Sequence, residues 1–398
     1  MFKSVQRITY QVPDVEKAKQ WYRMVLEREP SFDAPFFVCF AVGDTMLALV
    51  PTSGASSASD ERIVAHWGVE DADAAYKRLL ECGAAVHTEI GTVQHMRAAR
   101  VIDPFGNVLG IVSKPGDSQS QSVENRPSDS AMGVTMCRAL AAKDERQGLK
   151  GRDCLAEIFL TDEHRKLLQR PQSREYIIQK MVTPALYGYI LARTIYMDQI
   201  FEEALQANVP QIVWLGAGYD SRAYRFEDHI RDTRLFELDI QTTQQRKRQL
   251  LERANVPIPR QLTFVPINFK TQKIDDALRG AGFDKDKKTL FLWEGVTYYL
   301  SDETVHATLD SVRRNTVAGS TICFDYMTQH VKSVYAGEPF LFWIDPGQLP
   351  AFLSERGYAV VEHLDPGETE RRYLTFPDGS PIGKTLPFFS LVRAAVSG

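Results

Sequence analysis

Apolar and polar positions along residues 1–114 repeat one pattern twice. Residues 4–12 alternate with the two-residue period of a half-buried strand, and residues 15–26 have the spacing of an amphipathic helix. Residues 36–50 then predict two strands around a turn at Gly43 and Asp44. The pattern therefore predicts a module in which one strand and one helix are followed by further strands.

The second half of this segment follows the same order. Asp71 opens its helix as Asp14 opens the first, about 57 residues earlier, and Asp is a preferred residue at a helix N-cap. We predict a helix at residues 72–82 and strands at residues 64–69, 86–90, 96–102 and 108–112. A unit repeated at this spacing indicates a duplication, so residues 1–114 are predicted to form an α+β domain of paired βαβββ modules.

Beyond residue 132 the pattern changes to short apolar runs separated by helical stretches. Helical spacing follows the early runs, at residues 241–254, 273–281 and 302–315. Alternation of this kind predicts an α/β fold with a doubly wound sheet, whose ligand crevice lies at the carboxyl ends of the parallel strands. Seven runs predict its strands, at residues 211–215, 234–239, 262–267, 289–293, 320–324, 358–363 and 388–394.

Residues 115–131, with the sequence PGDSQSQSVENRPSDSA, separate the two patterns. The segment has five serines, two prolines and no aromatic residue. Such a composition buries too little apolar surface to offset the entropy lost on ordering. We therefore predict a linker here, with one domain at residues 1–114 and a second at residues 132–398.

Composition excludes several classes of protein. Lys and Arg number 47 against 51 Asp and Glu, so the net charge of −4 offers no basic surplus for nucleic acid or an anionic membrane. Apolar runs stay short of the roughly 18 residues of a membrane span, and the first residues lack the apolar stretch of a secretory signal. The five cysteines are widely spaced, which predicts free thiols in a reducing cytoplasm.

Three stretches of the first domain match a known family: ITYQVPDVEKAKQWY, HWGVEDADAAYKRLLECGA and DPFGNVLG. Through them residues 1–114 resemble a glyoxalase/bleomycin-resistance domain of the vicinal oxygen chelate superfamily. The resemblance implies a cup-shaped sheet, in which the enzymes of this family hold a divalent metal.

The metal-ligand positions implied by this resemblance fall on Arg7, Val64 and Gly110. None of these residues is a plausible metal ligand, so we predict a metal-free module for binding or dimerisation. We also expect a homodimer to which residues 1–114 contribute, because an open strand edge favours pairing. The domain holds three histidines whose spacing matches no site known to us: His66, His87 and His95.

The second domain has a glycine-rich turn after its first apolar run. Gly216, Ala217 and Gly218 follow residues 211–215, and glycine lets a ligand approach the backbone closely. The next run ends at Asp239, whose carboxylate can accept both hydroxyls of a ribose. A dinucleotide dehydrogenase would have a third glycine where Ser221 stands, whereas an S-adenosylmethionine-dependent methyltransferase does not need it. The pattern favours the methyltransferase.

Motifs along residues 132–398 strengthen this interpretation. They are Cys137-Arg138-Ala139, ILARTIYMD, QIVWLGAGYDSRAYR, FELD, WEGVTYYL and FDYM. In these motifs the segment resembles the leucine carboxyl methyltransferase and polyketide O-methyltransferase superfamily. These are class I methyltransferases whose cofactor is S-adenosyl-L-methionine.

The resemblance implies roles for individual residues. Arg193 would hold the methionine carboxylate of the cofactor, and Glu294 would lie near its amino group. Asp239 would bind the ribose. The remaining cofactor residues implied by the family are Gly216, Ala217 and Gly218 at the methionine part, Asn268 and Phe269 at the adenine, and Arg138 in the N-terminal cap. The family usually has Asp in place of Asn268.

The methyl acceptor is predicted to be a small organic molecule. An ionised carboxylate needs no general base, whereas a phenol or hydroxyl would benefit from one. The sequence offers no convincing base, which favours a carboxylate. Tyr298 and Tyr326 are candidates for lining the acceptor pocket, together with the aromatic residues Tyr299, His330 and Trp343.

Two other functions stay open at this point. A non-catalytic protein could sequester a small molecule in its first domain and sense S-adenosylmethionine with its second. A bifunctional enzyme could have chemistry in both domains. The cofactor motifs disfavour the first alternative, and the missing metal ligands disfavour the second.

Overall fold

The computed structural model describes residues 2–26, 28–42, 45–51, 63–93, 96–102, 108–113, 129–144, 153–269, 271–331, 334–335 and 338–398. The chain forms two compact units. The first comprises Met1–Gln121 with Gln169–Tyr176, and the second comprises Ser122–Leu168 with Ile177–Gly398. Most of the predicted linker, the Gly43-Asp44 turn and His95 lie outside the described residues. The domain limits drawn from the sequence therefore stay a prediction.

The first unit contains one eight-stranded sheet with the order β2-β3-β4-β1-β5-β8-β7-β6. Two modules meet where β1 pairs antiparallel with β5, and in each module the first strand pairs in parallel with the last. The prediction of paired α+β modules is confirmed. The elements are β1 (Phe2–Val12), α1 (Val15–Leu26), β2 (Phe32–Ala34), β3 (Phe37–Val42), β4 (Thr45–Pro51), β5 (Ile63–Val69), α2 (Ala72–Glu81), β6 (Ala85–Val93), β7 (Met96–Ile102) and β8 (Val108–Ser113).

Helices α1 and α2 begin where the sequence predicts. Asp14 Oδ1 accepts a hydrogen bond from Lys17 N at 3.0 Å, and Asp71 Oδ1 accepts one from Ala74 N at 3.0 Å. A side-chain oxygen at this position satisfies a backbone donor that has no partner within the helix. Strand β2 was not predicted, because three residues are too short to show an alternation.

The second unit follows the alternation of its sequence. Its elements, and α5 of the first unit, are α3 (Asp129–Ala142), α4 (Asp162–Leu168), α5 (Pro171–Tyr176), α6 (Pro184–Gln206), β9 (Gln211–Leu215), α7 (Arg222–Arg225), β10 (Arg234–Asp239), α8 (Gln241–Arg253), β11 (Leu262–Pro266), α9 (Ile274–Gly280), β12 (Thr289–Trp293), α10 (Asp302–Arg314), β13 (Thr321–Met327), β14 (Val334–Tyr335), β15 (Glu338–Pro339), α11 (Leu349–Ser354), β16 (Tyr358–Leu364), α12 (Pro366–Tyr373) and β17 (Phe389–Val396). A π-helical turn, Ile177–Val182, precedes α6.

The main sheet of this unit has seven strands in the order β11-β10-β9-β12-β13-β17-β16. Strands β9 to β13 run parallel, and β17 runs antiparallel to both of its neighbours. The predicted seven-stranded, doubly wound sheet is confirmed. Strand β9 lies between β10 and β12, so the strand order reverses there, and ligands of such sheets bind at this point.

Both faces of the sheet are buried, which explains the continuous apolar runs of its parallel strands. All five residues of β9 are buried. The large side chains Trp214 and Trp293 are 2% and 0% exposed, and each such burial stabilises the fold by roughly 1.5–3 kcal/mol. Within the described part of the chain, no helix is both long enough and apolar enough to cross a membrane.

Candidate functional site

The glycine-rich turn after β9 needs glycine for two reasons. Gly216 and Gly218 have φ angles of 81° and 49°, in the left-handed region that favours glycine. A Cβ atom at Gly216 would lie 2.7 Å from Cγ2 of Val296. The turn is fixed to β10, since Gly216 N and Ala217 N both donate to Leu238 O, at 2.8 and 3.0 Å. The backbone at this turn is therefore tight, and Gly216 and Gly218 add no side chains to it.

Asp239 lies at the carboxyl end of β10, beside this turn. Its Oδ2 accepts a hydrogen bond from Gly218 N at 2.5 Å, and its Oδ1 accepts one from Ile240 N at 2.7 Å. Burial raises the pKa of Asp239, while these two hydrogen bonds act to lower it. Each oxygen keeps a further lone pair, so the carboxylate can still accept two hydrogen bonds from a diol.

Arg193 projects from the middle of α6 and is 1% exposed. Its Nε donates to Glu294 Oε1 at 3.0 Å, and its Nη1 donates to Asp325 Oδ2 at 2.8 Å and to Tyr298 OH at 3.2 Å. Burial acts to lower the pKa of Arg193, but Asp325 and the other neighbouring acidic groups together more than reverse this, so the pKa is raised and the guanidinium stays charged. Its Nη2 makes no hydrogen bond to any described residue, which leaves one donor for a ligand.

Asp325, in β13, was quoted within a motif but given no role from the sequence. The side chain is fully buried, and it accepts hydrogen bonds from Arg193, from Gly295 N at 2.7 Å and from the hydroxyl of Tyr189. A Cβ at Gly295 would lie 3.2 Å from both terminal nitrogens of Arg193. A sequence signal could have identified Asp325. It is an acid near the end of a strand, and the ends of the neighbouring strands line the same crevice.

Glu294 bridges two arginines. Its Oε1 accepts from Arg193, and its Oε2 accepts from Nη1 of Arg222 at 2.8 Å. The Nε of Arg222 donates to Asp198 at 2.8 Å, and its Nη1 also donates to Asp220. Burial acts to lower the pKa of Arg222, but Asp220, Glu294 and Asp198 together outweigh it, so the pKa is raised. Of the motif residues, Arg222 therefore holds Glu294 by ion pairing, and Asp220 in turn pairs with Arg222.

Arg138, in α3, contacts the chain just after the glycine turn. Its Nη2 donates to Tyr219 O at 2.8 Å, and its Nη1 lies 3.2 Å from Asp153 Oδ2. The same Asp153 oxygen accepts from Ser221 Oγ at 2.7 Å. The structure thus brings Arg138 of the N-terminal cap to the turn, while Asp153 was not foreseen from the sequence.

Asn268 and Phe269 follow β11, next to the end of β10. Ile267 N donates a hydrogen bond to Asp239 O at 2.9 Å. Asn268 is the next residue in the chain after Ile267. Phe269 packs against the apolar cluster on that face of the sheet. Both residues therefore lie at the edge of the sheet where β10 ends.

Tyr298 and Tyr326 pack in different apolar clusters. Tyr298 packs with Phe389 and contacts Arg193 as described, whereas the hydroxyl of Tyr326 lies 3.0 Å from His363 Nε2. Burial raises the pKa of Tyr298, and it raises the pKa of Tyr326 to about 12. Both phenols are therefore protonated at neutral pH, and neither is poised as a general base.

The metal-ligand positions implied for the first unit lie on neighbouring strands. Arg7 pairs in register with His66, and His66 pairs with Gly110. Among the described residues, no group of three or more His, Cys, Asp or Glu side chains is placed to hold a metal ion. His87 lies in the edge strand β6, where its Nδ1 is 3.2 Å from Thr88 Oγ1.

Two family models match separate parts of the chain. Residues 131–313 match the family model of leucine carboxyl methyltransferase, and residues 4–111 match that of the Glyoxalase/Bleomycin resistance protein/Dioxygenase superfamily. A protein of Frankia alni, "Putative S-adenosyl-L-methionine-dependent methyltransferase FRAAL3718", is 31% identical over 210 residues, which are 52% of this chain and 71% of the relative. The chain belongs to the S-adenosyl-L-methionine-dependent methyltransferase family.

A second relative of this methyltransferase family comes from Bacillus subtilis. "Putative S-adenosyl-L-methionine-dependent methyltransferase YktD" is 31% identical over 193 residues, or 45% of this chain. The chain spans 63% of the length of that relative. Among solved structures, the glycopeptide N-methyltransferase MtfA complexed with sinefungin has 14% identity and a TM-score of 0.34, over 51% of this chain and 86% of that one.

Proposed function

We propose that the second unit binds S-adenosyl-L-methionine and transfers its methyl group to a small organic acceptor, namely a carboxylate. The observation that supports this most is Asp239, held by two backbone N–H groups beside the left-handed glycine turn. A carboxylate at that point suits the two hydroxyls of a ribose, and the crowded, side-chain-free turn suits the methionine part of the cofactor.

The charges of the site fit this cofactor. Among the described residues, four arginines form a buried network with five carboxylates: Arg138, Arg193, Arg222 and Arg225 with Asp153, Asp198, Asp220, Glu294 and Asp325. S-adenosylmethionine bears a sulfonium, an ammonium and one carboxylate, whereas the product has lost the sulfonium charge. A network with one excess negative charge therefore favours the cofactor before transfer and releases the product more readily.

Arg193 and Glu294 would hold the two ends of the methionine group. Nη2 of Arg193 is the donor that remains for the cofactor carboxylate, and a guanidinium binds carboxylates with directed hydrogen bonds. Each oxygen of Glu294 accepts one hydrogen bond from an arginine. A carboxylate has about four acceptor sites, so Glu294 can also accept from the cofactor ammonium.

The acceptor follows from the absence of a poised base among the residues described at the site. Tyr298 and Tyr326 have raised pKa values and hold their protons at neutral pH. A carboxylic acid is already ionised there and can attack the sulfonium methyl directly, with the protein supplying alignment. The oxygen–carbon bond then forms as the carbon–sulfur bond breaks, and no proton needs to be moved.

Calorimetry with S-adenosylhomocysteine tests the cofactor site. We expect Asp239→Ala to weaken binding by about 1–3 kcal/mol, because charge-assisted hydrogen bonds are lost. Asp228→Ala, at an exposed acid on the same unit, is the matched control and should bind as the parent does. Unchanged affinity in a folded Asp239→Ala protein would remove Asp239 from the site.

The acceptor class is tested by transfer of a radiolabelled methyl group. Matched pairs of carboxylic acids, phenols and amides should be offered to the full chain. Labelling of acids alone, with base-labile product, is the expected result. Labelling of phenols but not of acids would reject the carboxylate, while leaving the cofactor site intact.

A further inference from the structure

A buried ion pair lies just before the end of β10. Glu237 and Lys247 are 1% and 0% exposed, and Nζ of Lys247 donates to Oε2 of Glu237 at 2.7 Å. Taking two charges out of water costs about as much as their attraction returns, so stability alone does not account for such a pair.

Lys247 occupies a core position of α8. The buried residues of this helix follow the spacing of one inward face, and they are Thr243, Gln244, Lys247, Leu250 and Leu251. An apolar side chain is usual at the centre of such a face. Gln244 fastens the same turn to the sheet, since its Nε2 donates to Glu237 O at 2.8 Å and to Val265 O at 3.1 Å. The ammonium of Lys247 is therefore held at a fixed place beside β10.

The pair keeps unused hydrogen-bonding capacity. Nζ of Lys247 has three donors, and Glu237 is the only described residue that accepts from it. Oε1 of Glu237 accepts no hydrogen bond from the described part of the chain. The centre of the Tyr224 ring lies 5.4 Å from Nζ. Because one carboxylate oxygen takes only one of the three donors, the charge of the ammonium also acts on other acids nearby.

Asp239 is the acid of the cofactor site that this charge reaches. Glu237 and Asp239 are two residues apart in β10, so their side chains project to one face, about 6.6 Å apart along the strand. Burial raises the pKa of Asp239, and its hydrogen bonds from two backbone N–H groups act to lower it. The charge of Lys247 acts in the same direction as these hydrogen bonds. Lys247 therefore favours the carboxylate form, whose oxygens only accept.

Other ionisable groups face the pair from the elements packed around it. Burial acts to raise the pKa of Asp220, but neighbouring cations, Arg222 first and Lys247 next, outweigh it and the pKa is lowered. Burial raises the pKa of Tyr224, so this phenol is neutral. Further charged groups here have partners of their own: Arg222 with Glu294, Arg138 with Asp153, Arg248 with the ring of Phe264, and Glu157, in the turn Ala156–Phe159 packed against α8, with Lys143.

We propose that Lys247 is a positioning residue of the cofactor site. Its buried ammonium holds Asp239 as a carboxylate that accepts both ribose hydroxyls, and Glu237 keeps the ammonium in place. The inference rests on the proposed function, because it takes Asp239 as the acid that binds the ribose.

Calorimetry with S-adenosylhomocysteine on the full chain, at about pH 8 and about pH 5.5, tests this role, because a carboxyl group with a raised pKa takes up protons towards the lower value. Lys247→Met should weaken binding about tenfold more at the lower pH than at the higher one, as one unit of pKa corresponds to a factor of ten. Lys285→Met, at an exposed lysine of the second unit, is the control and should bind as the parent does at both values.

Two further variants separate charge from packing. Lys247→Met leaves Glu237 buried without its partner, whereas the double variant Glu237→Gln with Lys247→Met removes both charges and should stay folded. The double variant should show the same pH-dependent loss as Lys247→Met. Glu237→Gln alone keeps the ammonium and an acceptor oxygen for it, and should not show that loss. A purely structural pair gives a different pattern, in which both single variants weaken binding alike at both pH values and the double variant restores it.

The same measurements in an Asp239→Ala background distinguish this inference from the proposed function. Lys247→Met should then weaken binding no further, because the acid through which it acts is missing. An equal loss in both backgrounds, or no pH dependence of the loss, would overturn the positioning role and leave the ribose acid standing. Asp239→Ala that binds as the parent does would reject the ribose acid and this inference together.

Discussion

Replacing Asp325 perturbs the most highly bonded carboxylate of the candidate site. It receives the Nη1 of Arg193, the backbone N–H of Gly295 and the hydroxyl of Tyr189, and its side chain is fully buried. The three donors come from α6 and from the turn after β12. Asp325 therefore fixes the orientation of Arg193 against the sheet.

The structure sets the magnitude of the effect. Removing one member of a buried ion pair costs about 3–5 kcal/mol, because the remaining charge is left in a poorly solvating environment. Arg193 keeps its second acid, Glu294, at 3.0 Å, so the lower end applies and we expect Asp325→Ala to lose about 3 kcal/mol of unfolding free energy. Asp325→Asn keeps an acceptor for Gly295 N and should lose less, about 1–3 kcal/mol.

Two assays separate positioning from stability. Urea unfolding followed by tyrosine and tryptophan fluorescence compares the unfolding free energy of each variant with that of the parent chain, and calorimetry gives the affinity for S-adenosylhomocysteine. Asp325→Asn should bind about tenfold more weakly, since Arg193 loses the contact that aims its Nη2 at the ligand. Asp228→Ala serves as the control in both assays.

The possible results have distinct meanings. An Asp325→Ala protein with unchanged unfolding free energy would refute the claim that this carboxylate compensates the charge of Arg193. Lower stability with unchanged affinity in Asp325→Asn would confine Asp325 to a structural role. A loss of affinity that Glu294→Gln reproduces would support the shared positioning of Arg193.

Two further predictions concern the first unit. The pKa of His66 is lowered from 6.5 to about 3 in the folded unit. Below about pH 6.5 the imidazole is therefore protonated in the unfolded chain but neutral in the folded unit. The unfolding free energy of this unit should then fall by up to about 1.4 kcal/mol per pH unit as the pH drops. His66→Gln should flatten that slope in urea unfolding, and an equal slope in both proteins would contradict the assignment. We also propose a homodimer through the first unit, whose sheet ends in the edge strands β2 and β6, with Val86 of β6 50% exposed. Light scattering should give a dimer for the full chain and a monomer for residues 132–398, and a monomeric full chain would reject this proposal.

The elements of the second unit were largely predictable from the sequence. The predicted strands 211–215, 234–239 and 289–293 match β9, β10 and β12 residue for residue. Strands buried on both faces appear as continuous apolar runs, and a charged or glycine residue marks where burial ends. For the same reason Asp239 and Glu294 could be proposed as site residues, because strand ends of a parallel sheet meet at one edge.

The pairing of side chains across the site could not be predicted in this way. Arg193 and Asp325 are 132 residues apart, and their contact depends on where α6 packs against the sheet. The bridging role of Glu294 likewise depends on Arg222 entering from a short helix after the glycine turn. Local patterns specify elements, whereas these contacts are set by packing between elements distant in sequence.

The first unit shows how strand register brings residues that are distant in sequence into one row. Arg7 and Gly110 stand at two positions where the resemblance implied metal ligands, and each alone indicated only the loss of a ligand. Strand pairing places them in one row, with His66 filling the space above Gly110 and Arg100 at the far end. The guanidinium of Arg7 keeps positive charge on this face of the sheet, although arginine is not a metal ligand.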